Sequence, residues 1–284
     1  MSDELMNTDH IQRKRLDLSY GSESESQKLD IYWPENGDGP FPVIMAVHGG
    51  AFMMGDKADT QLKPMLEGLK RQYAVVSVNY RLSGEAIFPA QIQDVKAAIW
   101  WIKANAQLYQ LDASRIALWG GSAGGNLVSL AGTSAHHKFF EDTGNTAFPC
   151  DVQVVVDWFG PTDFLSMDEL FEQSGVKGLQ IHNAADSAES ILLGSTITEV
   201  PDKVKAANPE TYISKQSPPF FIQHGTKDLI IPTQQSVIFY NKLVDMIGNE
   251  NVRLELLEGA GHGGPEFETE ENVNKVLDFI DKFL

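Results

Sequence analysis

The sequence predicts an α/β fold in which helices cover both faces of a mostly parallel, doubly wound sheet. From about residue 41 onwards, short apolar runs alternate with amphipathic segments, and this alternation is typical of βαβ units. The runs are almost continuously apolar, as expected for parallel strands that are buried on both faces. A length of 284 residues suits one large domain or two small ones. We expect a single domain over residues 1–284.

The expected elements follow from these runs in chain order. An N-terminal antiparallel hairpin comes first, with strands in RLDLSYG (15–21) and SQKLDIYWP (26–34). The expected parallel strands are 41–47, 73–80, 115–119, 152–159, 218–224 and 252–258. Two helices are indicated by apolar residues that recur every three or four positions. These residues are Ile92, Val95, Ile99 and Ile102 in the first helix and Val273, Val276, Leu277 and Ile280 in the second.

Residues 160–217 interrupt this alternation. They are too many for a simple crossover, and they contain short helical patterns broken by glycine and proline. Long insertions in compact domains are usually functional or mobile. We therefore expect a small cap beside the functional site rather than a second domain.

The composition is acidic, with 22 Lys and Arg against 39 Asp and Glu and a formal net charge of −17. Such a surface repels phosphate backbones and anionic lipid headgroups, so we expect a small neutral substrate and neither nucleic acid nor membrane as partner. No apolar run approaches 18 residues and the N-terminal segment has no apolar core, which predicts a cytoplasmic protein. Cys150 is the single cysteine, so an internal disulfide framework is excluded. No metal-ligand spacing is present, and no cofactor is expected.

A glycine-rich segment, GGSAGG (120–125), joins the expected strand 115–119 to a helical pattern. Residues 120–124 fit G-x-S-x-G in the strand–turn–helix context that this motif requires. The sharp turn would expose Ser122, and Gly120 and Gly124 would remove side chains that otherwise collide. The N-terminus of the following helix favours developing negative charge. We expect Ser122 to be a nucleophile. Dinucleotide binding is not expected, because serine stands where G-x-G-x-x-G requires its second glycine.

A serine nucleophile needs a base, and the base needs an orienting acid. His262, in EGAGHGGPE, follows the last expected strand in a glycine-rich loop, whereas His224 ends a strand. The chain order Ser, acid, His is met by Ser122, Asp228 and His262. Asp163, in FGPTD after the preceding strand, is the rival for the acid.

A second glycine motif, HGGA at 48–51, follows the first expected parallel strand. Small residues let backbone amides approach a substrate, so the N–H groups of Gly50, Ala51 and Ala123 are expected to bind an oxyanion, at roughly 2.7–4 kcal/mol each. We expect His48 to brace this loop rather than to act as a base. Core packing is an equally good explanation for the three candidate substrate-binding residues, which are Phe52, Trp158 and Phe159.

These motifs together resemble the α/β-hydrolases, in particular the hormone-sensitive-lipase-like esterases and the bifunctional acetyl xylan and feruloyl (carbohydrate) esterases. The resemblance covers about residues 28–284 and is carried by HGGAF, VVSVNYRLS, FPAQIQDVKAAIWWI, RIALWGGSAGGNL, FGPTDF, HGTKDLIIP and EGAGHGG. It implies an α/β-hydrolase fold and a serine carboxylesterase acting on short-acyl or carbohydrate-linked (acetyl or feruloyl) esters. The chain departs from the lipase-like pattern at Ala51, where a third glycine is usual, and at Lys227-Asp228-Leu229 in place of Asp-Pro-Leu.

Two other functions are compatible with these residues. An arylformamidase or another amidase uses the same scaffold and also favours an HGG loop. A non-catalytic ligand-binding protein is the second alternative, but such a protein is expected to have lost one of the three candidate triad residues. All three are present in this chain.

Overall fold

A single eight-stranded sheet organises the part of the chain that the computed structural model describes, residues 5–137 and 149–284. In chain order the strands are β1 (Lys14–Ser19), β2 (Lys28–Tyr32), β3 (Phe41–Val47), β4 (Ala74–Val78), β5 (Leu111–Gly121), β6 (Val154–Trp158), β7 (Phe220–Gly225) and β8 (Val252–Leu257). Their order in space is β1-β2-β4-β3-β5-β6-β7-β8. The pairs β1–β2 and β2–β4 are antiparallel, and all later pairs are parallel. The predicted N-terminal hairpin and mostly parallel sheet are confirmed.

Helices cover both faces of this sheet, as the doubly wound fold requires. They are α1 (Lys63–Leu66), α2 (Ala90–Tyr109), α3 (Ala123–Thr133), α4 (Met167–Ser174), α5 (Ala188–Leu193), α6 (Pro201–Ala207), α7 (Gln234–Ile247), α8 (Pro265–Glu268) and α9 (Glu270–Phe283). Helices α2, α3 and α7 pack into one core, and α1 and α9 pack into the core on the other face. Within the described ranges, no helix is long and apolar enough to cross a bilayer.

The two predicted helical stripes lie at the centres of these cores. In α2, Ile92 and Ile99 are completely buried, and in α9 the same is true of Val276 and Ile280. Full burial of an aliphatic side chain of this size contributes about 1.5–3 kcal/mol. The apolar periodicity therefore fixes which face of each helix meets the sheet.

The insertion, residues 160–217, carries α4, α5 and α6 between β6 and β7. It lies against the loop that follows β7. The amide of Leu179 donates to the carbonyl of Leu229 at 2.8 Å, and Nε2 of His182 donates to the carbonyl of Ile230 at 2.9 Å. A role of this insertion as a cap over the functional site stays a prediction.

Candidate active site

Ser122 stands at the sharp turn between β5 and α3. Its φ of 56° and ψ of −123° are rare for a residue with a side chain, and such strain clusters at functional sites. Its amide donates to the carbonyl of Trp158 at 2.8 Å, which ties the turn to the neighbouring strand. A Cβ on Gly120 would lie 2.5 Å from the carbonyl carbon of Gly124, and one on Gly124 would lie 2.1 Å from the carbonyl oxygen of Val47. Steric exclusion therefore explains both glycines.

The imidazole of His262, in the loop after β8, lies between Ser122 and Asp228. Its Nε2 is 2.8 Å from Oγ of Ser122, and its Nδ1 is 2.7 Å from Oδ2 of Asp228. The ring of Phe159 packs against the imidazole with centroids 4.8 Å apart. Because a carboxylate can only accept, Nδ1 carries the proton and Nε2 is free to accept the serine hydroxyl. The three predicted residues thus form one continuous line of hydrogen bonds.

Asp228 is fully buried, and donors surround its carboxylate. Its Oδ1 accepts the amides of Ile230 at 2.8 Å and Ile231 at 3.0 Å. Its Oδ2 faces His262 and also Nε2 of His224, at 3.1 Å. Burial acts to raise the pKa of Asp228, but the hydrogen bonds from His224 and His262 outweigh burial and hold that pKa well below its usual value. Asp228 is therefore ionised at neutral pH.

The loop after β3 passes directly beside the nucleophile. A Cβ on Gly49 would lie 3.2 Å from Cβ of Ser122. Gly50 and Ala51 follow with φ of 117° and 55°, so the chain turns sharply there. Ala123 is the first residue of α3, where amides have no partner within the helix. The amides of Gly50, Ala51 and Ala123 remain the predicted oxyanion donors.

The side chains that brace this loop include His48 and also Gln61, which the motifs did not mark. Oε1 of Gln61 accepts the amide of Gly49 at 2.9 Å, and Nε2 of Gln61 donates to Asp59 at 2.9 Å. The ring of His48 stacks on Tyr80 with centroids 4.5 Å apart, and its Nδ1 lies 2.7 Å from the carbonyl of Gly49. Burial lowers the pKa of His48, which favours a neutral ring that donates to that carbonyl. These contacts suit a bracing role.

A cavity of about 190 Å³ opens beside Ser122 and His262. Its apolar wall includes Leu62, Pro64, Met65, Trp158, Phe159 and Phe267. Two of the three predicted substrate-binding residues therefore line it. The third, Phe52, is 2% exposed and packs edge-on against Phe164 in the core on the other face of the sheet. Its burial there is explained by core packing. The sequence carried no sign that α1 and α8 would contribute to the cavity.

The rival residues have other partners. Asp163 accepts from Nδ2 of Asn208 at 2.8 Å. His224 faces Asp228 and lies 2.7 Å from Oγ of Ser236. Among the residues that the structure describes, no cluster of three or more His, Cys, Asp and Glu side chains could hold a metal ion.

Comparison with curated proteins shows that the chain is similar to esterases. Residues 29–243 match the profile of the BD-FAE family. A probable carboxylic ester hydrolase of Mycobacterium tuberculosis, LipM, is 33% identical over 230 residues, which are 80% of this chain and 51% of LipM. The esterase LipQ of the same organism is 31% identical over 87% of this chain and 56% of its own length. The chain thus spans about half the length of these curated relatives.

Two solved structures share the fold over nearly all of the chain. A truncated form of a carbohydrate esterase from gut microbiota has a TM-score of 0.86 and 31% identity, and the match covers 98% of this chain and 99% of that one. The bifunctional GH43-CE protein of Bacteroides eggerthii has a TM-score of 0.83 and 34% identity, over 95% of this chain and 35% of that one. The strand order, the turn at Ser122 and the profile match lead to one assignment: the chain belongs to the BD-FAE family of α/β-hydrolases.

Proposed function

We propose that this protein is a serine carboxylesterase that removes short acyl groups, acetyl foremost, from esters of carbohydrates. The observation that carries the proposal is the line of hydrogen bonds from Ser122 through His262 to Asp228, at 2.8 and 2.7 Å. A serine, a neutral imidazole and an ionised acid in this order are the parts that acyl transfer requires. The serine, the histidine and the aspartate lie in three different loops that are far apart in the sequence. Their contact therefore depends on the tertiary fold.

In the proposed reaction, Oγ of Ser122 attacks the ester carbonyl while Nε2 of His262 takes the hydroxyl proton. Asp228 holds the imidazole in the required tautomer and stabilises the imidazolium that forms. Backbone amides of Gly50, Ala51 and Ala123 bind the oxyanion of the tetrahedral intermediate. His262 then gives its proton to the leaving alcohol. A water molecule, deprotonated by the same imidazole, hydrolyses the acyl-enzyme and restores the serine.

The size of the cavity supports a short acyl group. Its volume of about 190 Å³ lies below the 300–1,000 Å³ that is usual for drug-sized ligands. The apolar side chains beside Ser122 would contact the acyl carbon atoms. Support for a carbohydrate alcohol comes from the similar structures, one of which is named a carbohydrate esterase.

Replacement of Ser122 by alanine tests the nucleophile. We expect p-nitrophenyl acetate hydrolysis to fall by on the order of 10³-fold or more, and labelling by a fluorophosphonate probe to disappear. The melting temperature should stay within about 2 °C, because the lost hydroxyl makes few contacts that hold the fold. Activity that survives at more than a few per cent of wild type would refute the assignment.

A substrate panel tests the finer part of the proposal. Acetylated xylo-oligosaccharide should be hydrolysed with a higher kcat/KM than feruloylated xylo-oligosaccharide, p-nitrophenyl palmitate or N-formyl-kynurenine. A preference for palmitate would contradict the small cavity as the acyl site. A preference for N-formyl-kynurenine would point to the amidase alternative.

A further inference from the structure

We infer that His224 is a positioning residue for the catalytic acid: its Nε2–H shares Oδ2 of Asp228 with His262 and thereby sets both the orientation and the basicity of the carboxylate. This inference deepens the proposed function and rests on it. No step of the reaction above uses His224. It does not contact the reacting atoms, and it acts through Asp228.

The contacts of His224 place a proton on its Nε2. The side chain lies in β7 and is completely buried. Its Nε2 is 3.1 Å from Oδ2 of Asp228 and 3.1 Å from the carbonyl oxygen of Ile231. Both of these atoms can only accept, so Nε2 carries a proton. Its Nδ1 is 2.7 Å from Oγ of Ser236, whose hydroxyl can donate to it. A ring that carries a proton on Nε2 satisfies every one of these contacts.

Three hydrogen bonds hold the carboxylate of Asp228: two amides donate to Oδ1, and Nδ1–H of His262 donates to Oδ2. The Nε2–H of His224 divides between Oδ2, at 3.1 Å, and the carbonyl oxygen of Ile231. Each donor that stabilises the charged form also lowers the affinity of the carboxylate for a proton. The bond from His224 thus weakens the pull of Oδ2 on the Nδ1–H of His262. With that bond removed, His262 would hold its second proton more tightly.

Asp228 is the one carboxylate within 4 Å of the His224 ring nitrogens among the residues that the structure describes. Asp228 comes from the loop after β7 and His262 from the loop after β8. Asp157, on the adjacent strand β6, has donors of its own: the amide of Gly160 at 2.9 Å and the hydroxyl of Ser129 at 3.0 Å. Asp157 therefore contributes a negative field at His224, while Asp228 provides the hydrogen bond.

Two substitutions at position 224 distinguish the contact made by Nε2 of the imidazole from the contact made by its Nδ1. The amide of glutamine at position 224 reaches the place of Nε2, so His224→Gln keeps a donor for Asp228. The shorter asparagine reaches the place of Nδ1, so His224→Asn keeps a polar contact with Ser236 and loses the one with Asp228. Phe239→Leu, a fully buried change in α7, serves as the control for a loss of packing near β7.

We expect His224→Asn to lower kcat by about 10- to 100-fold with KM within about 2-fold of wild type, as when partners that orient a functional group are removed. The acidic limb of its kcat/KM profile should move up by about half a pH unit or more, because His262 gains proton affinity. His224→Gln should keep most of the wild-type kcat, and the acidic limb of its kcat/KM profile should lie at the wild-type pH. Phe239→Leu should have a lower melting temperature and an unchanged pH profile of kcat/KM.

The inference is overturned if His224→Asn keeps the wild-type kcat and acidic limb, or if the glutamine and asparagine variants behave alike. The proton NMR signal of Nδ1–H on His262 gives a readout that does not depend on turnover. It should move downfield in His224→Asn and stay in place in His224→Gln. If the wild type hydrolyses no ester and resists the fluorophosphonate, the proposed function fails, while this signal still decides the role of His224.

Discussion

The Asp157 carboxyl group provides a test of how burial changes a pKa close to the nucleophile. The carboxylate is wholly buried between β6 and α3, where it accepts the amide of Gly160 and the hydroxyl of Ser129. Burial outweighs these two donors and raises the pKa of Asp157 from 3.8 to about 6. At 1.36 kcal/mol for each unit, a shift of about two units corresponds to about 3 kcal/mol. The folded protein therefore favours the protonated acid by roughly that amount.

The sign of the pH dependence follows. The stabilising contribution of neutral Asp157 is complete below pH 3.8 and is lost as the pH rises through about 6. Asp157→Asn stays neutral at every pH, and its amide can accept from Gly160 and donate to Ser129. We expect the free energy of unfolding of the variant, minus that of wild type, to rise by about 2.5 kcal/mol between pH 4 and pH 7, because an unfolded Asp is already partly ionised at pH 4. Urea unfolding curves at four or five pH values measure this difference.

If the difference in free energy of unfolding does not change with pH, the reasoning is refuted, because Asp157 would then have the same pKa in the folded and the unfolded chain. Asp245→Asn, at an exposed position in α7, is the matched control and should give a flat line. A common rise with pH in both variants would indicate a general relief of charge repulsion in an acidic protein.

The other predictions concern the site directly. Asp228→Asn should lower kcat by roughly 10⁴-fold, because an amide favours the wrong tautomer of His262. Steady-state kinetics measure this loss, and a loss below about 10-fold would contradict the prediction. Gly124→Ala should melt several degrees lower and lose fluorophosphonate labelling, since its Cβ would lie 2.1 Å from the carbonyl oxygen of Val47. Phe267→Ala enlarges the cavity and should raise the ratio of butyrate to acetate kcat/KM, and an unchanged ratio would place the acyl group elsewhere.

Most of the sheet could be predicted because buried parallel strands leave continuous apolar runs. Strand β5 shows the limit of that signal. The run RIALW marks only its middle, whereas the strand extends over Leu111–Gly121. Its first residues include Asp112 and Ser114, which are partly or fully exposed and so carry no apolar pattern. Pairing with β3 at Leu111 and with β6 at Gly120 and Gly121 extends the strand beyond that run at both ends.

The site was predictable where motifs constrain the backbone, and less so where side chains meet across loops. Ser122 was marked by its glycines. Gln61 lies in a short 3₁₀ segment, and its contact with Gly49 depends on how that segment folds back on β3. Phe52 and Phe159 both follow strands and look alike in sequence, yet only Phe159 lines the cavity. The direction of such a side chain is set by a local turn that the residue type does not encode.

The insertion and the acid share a stretch of backbone. Residues 179 and 182 bond to the carbonyls of Leu229 and Ile230, and the amide of Ile230 binds Asp228. We therefore expect a changed insertion to shift the peptides that hold the carboxylate, and turnover to change with it. An engineer who grafts a relative's insertion onto this chain should move residues 229–231 along with it.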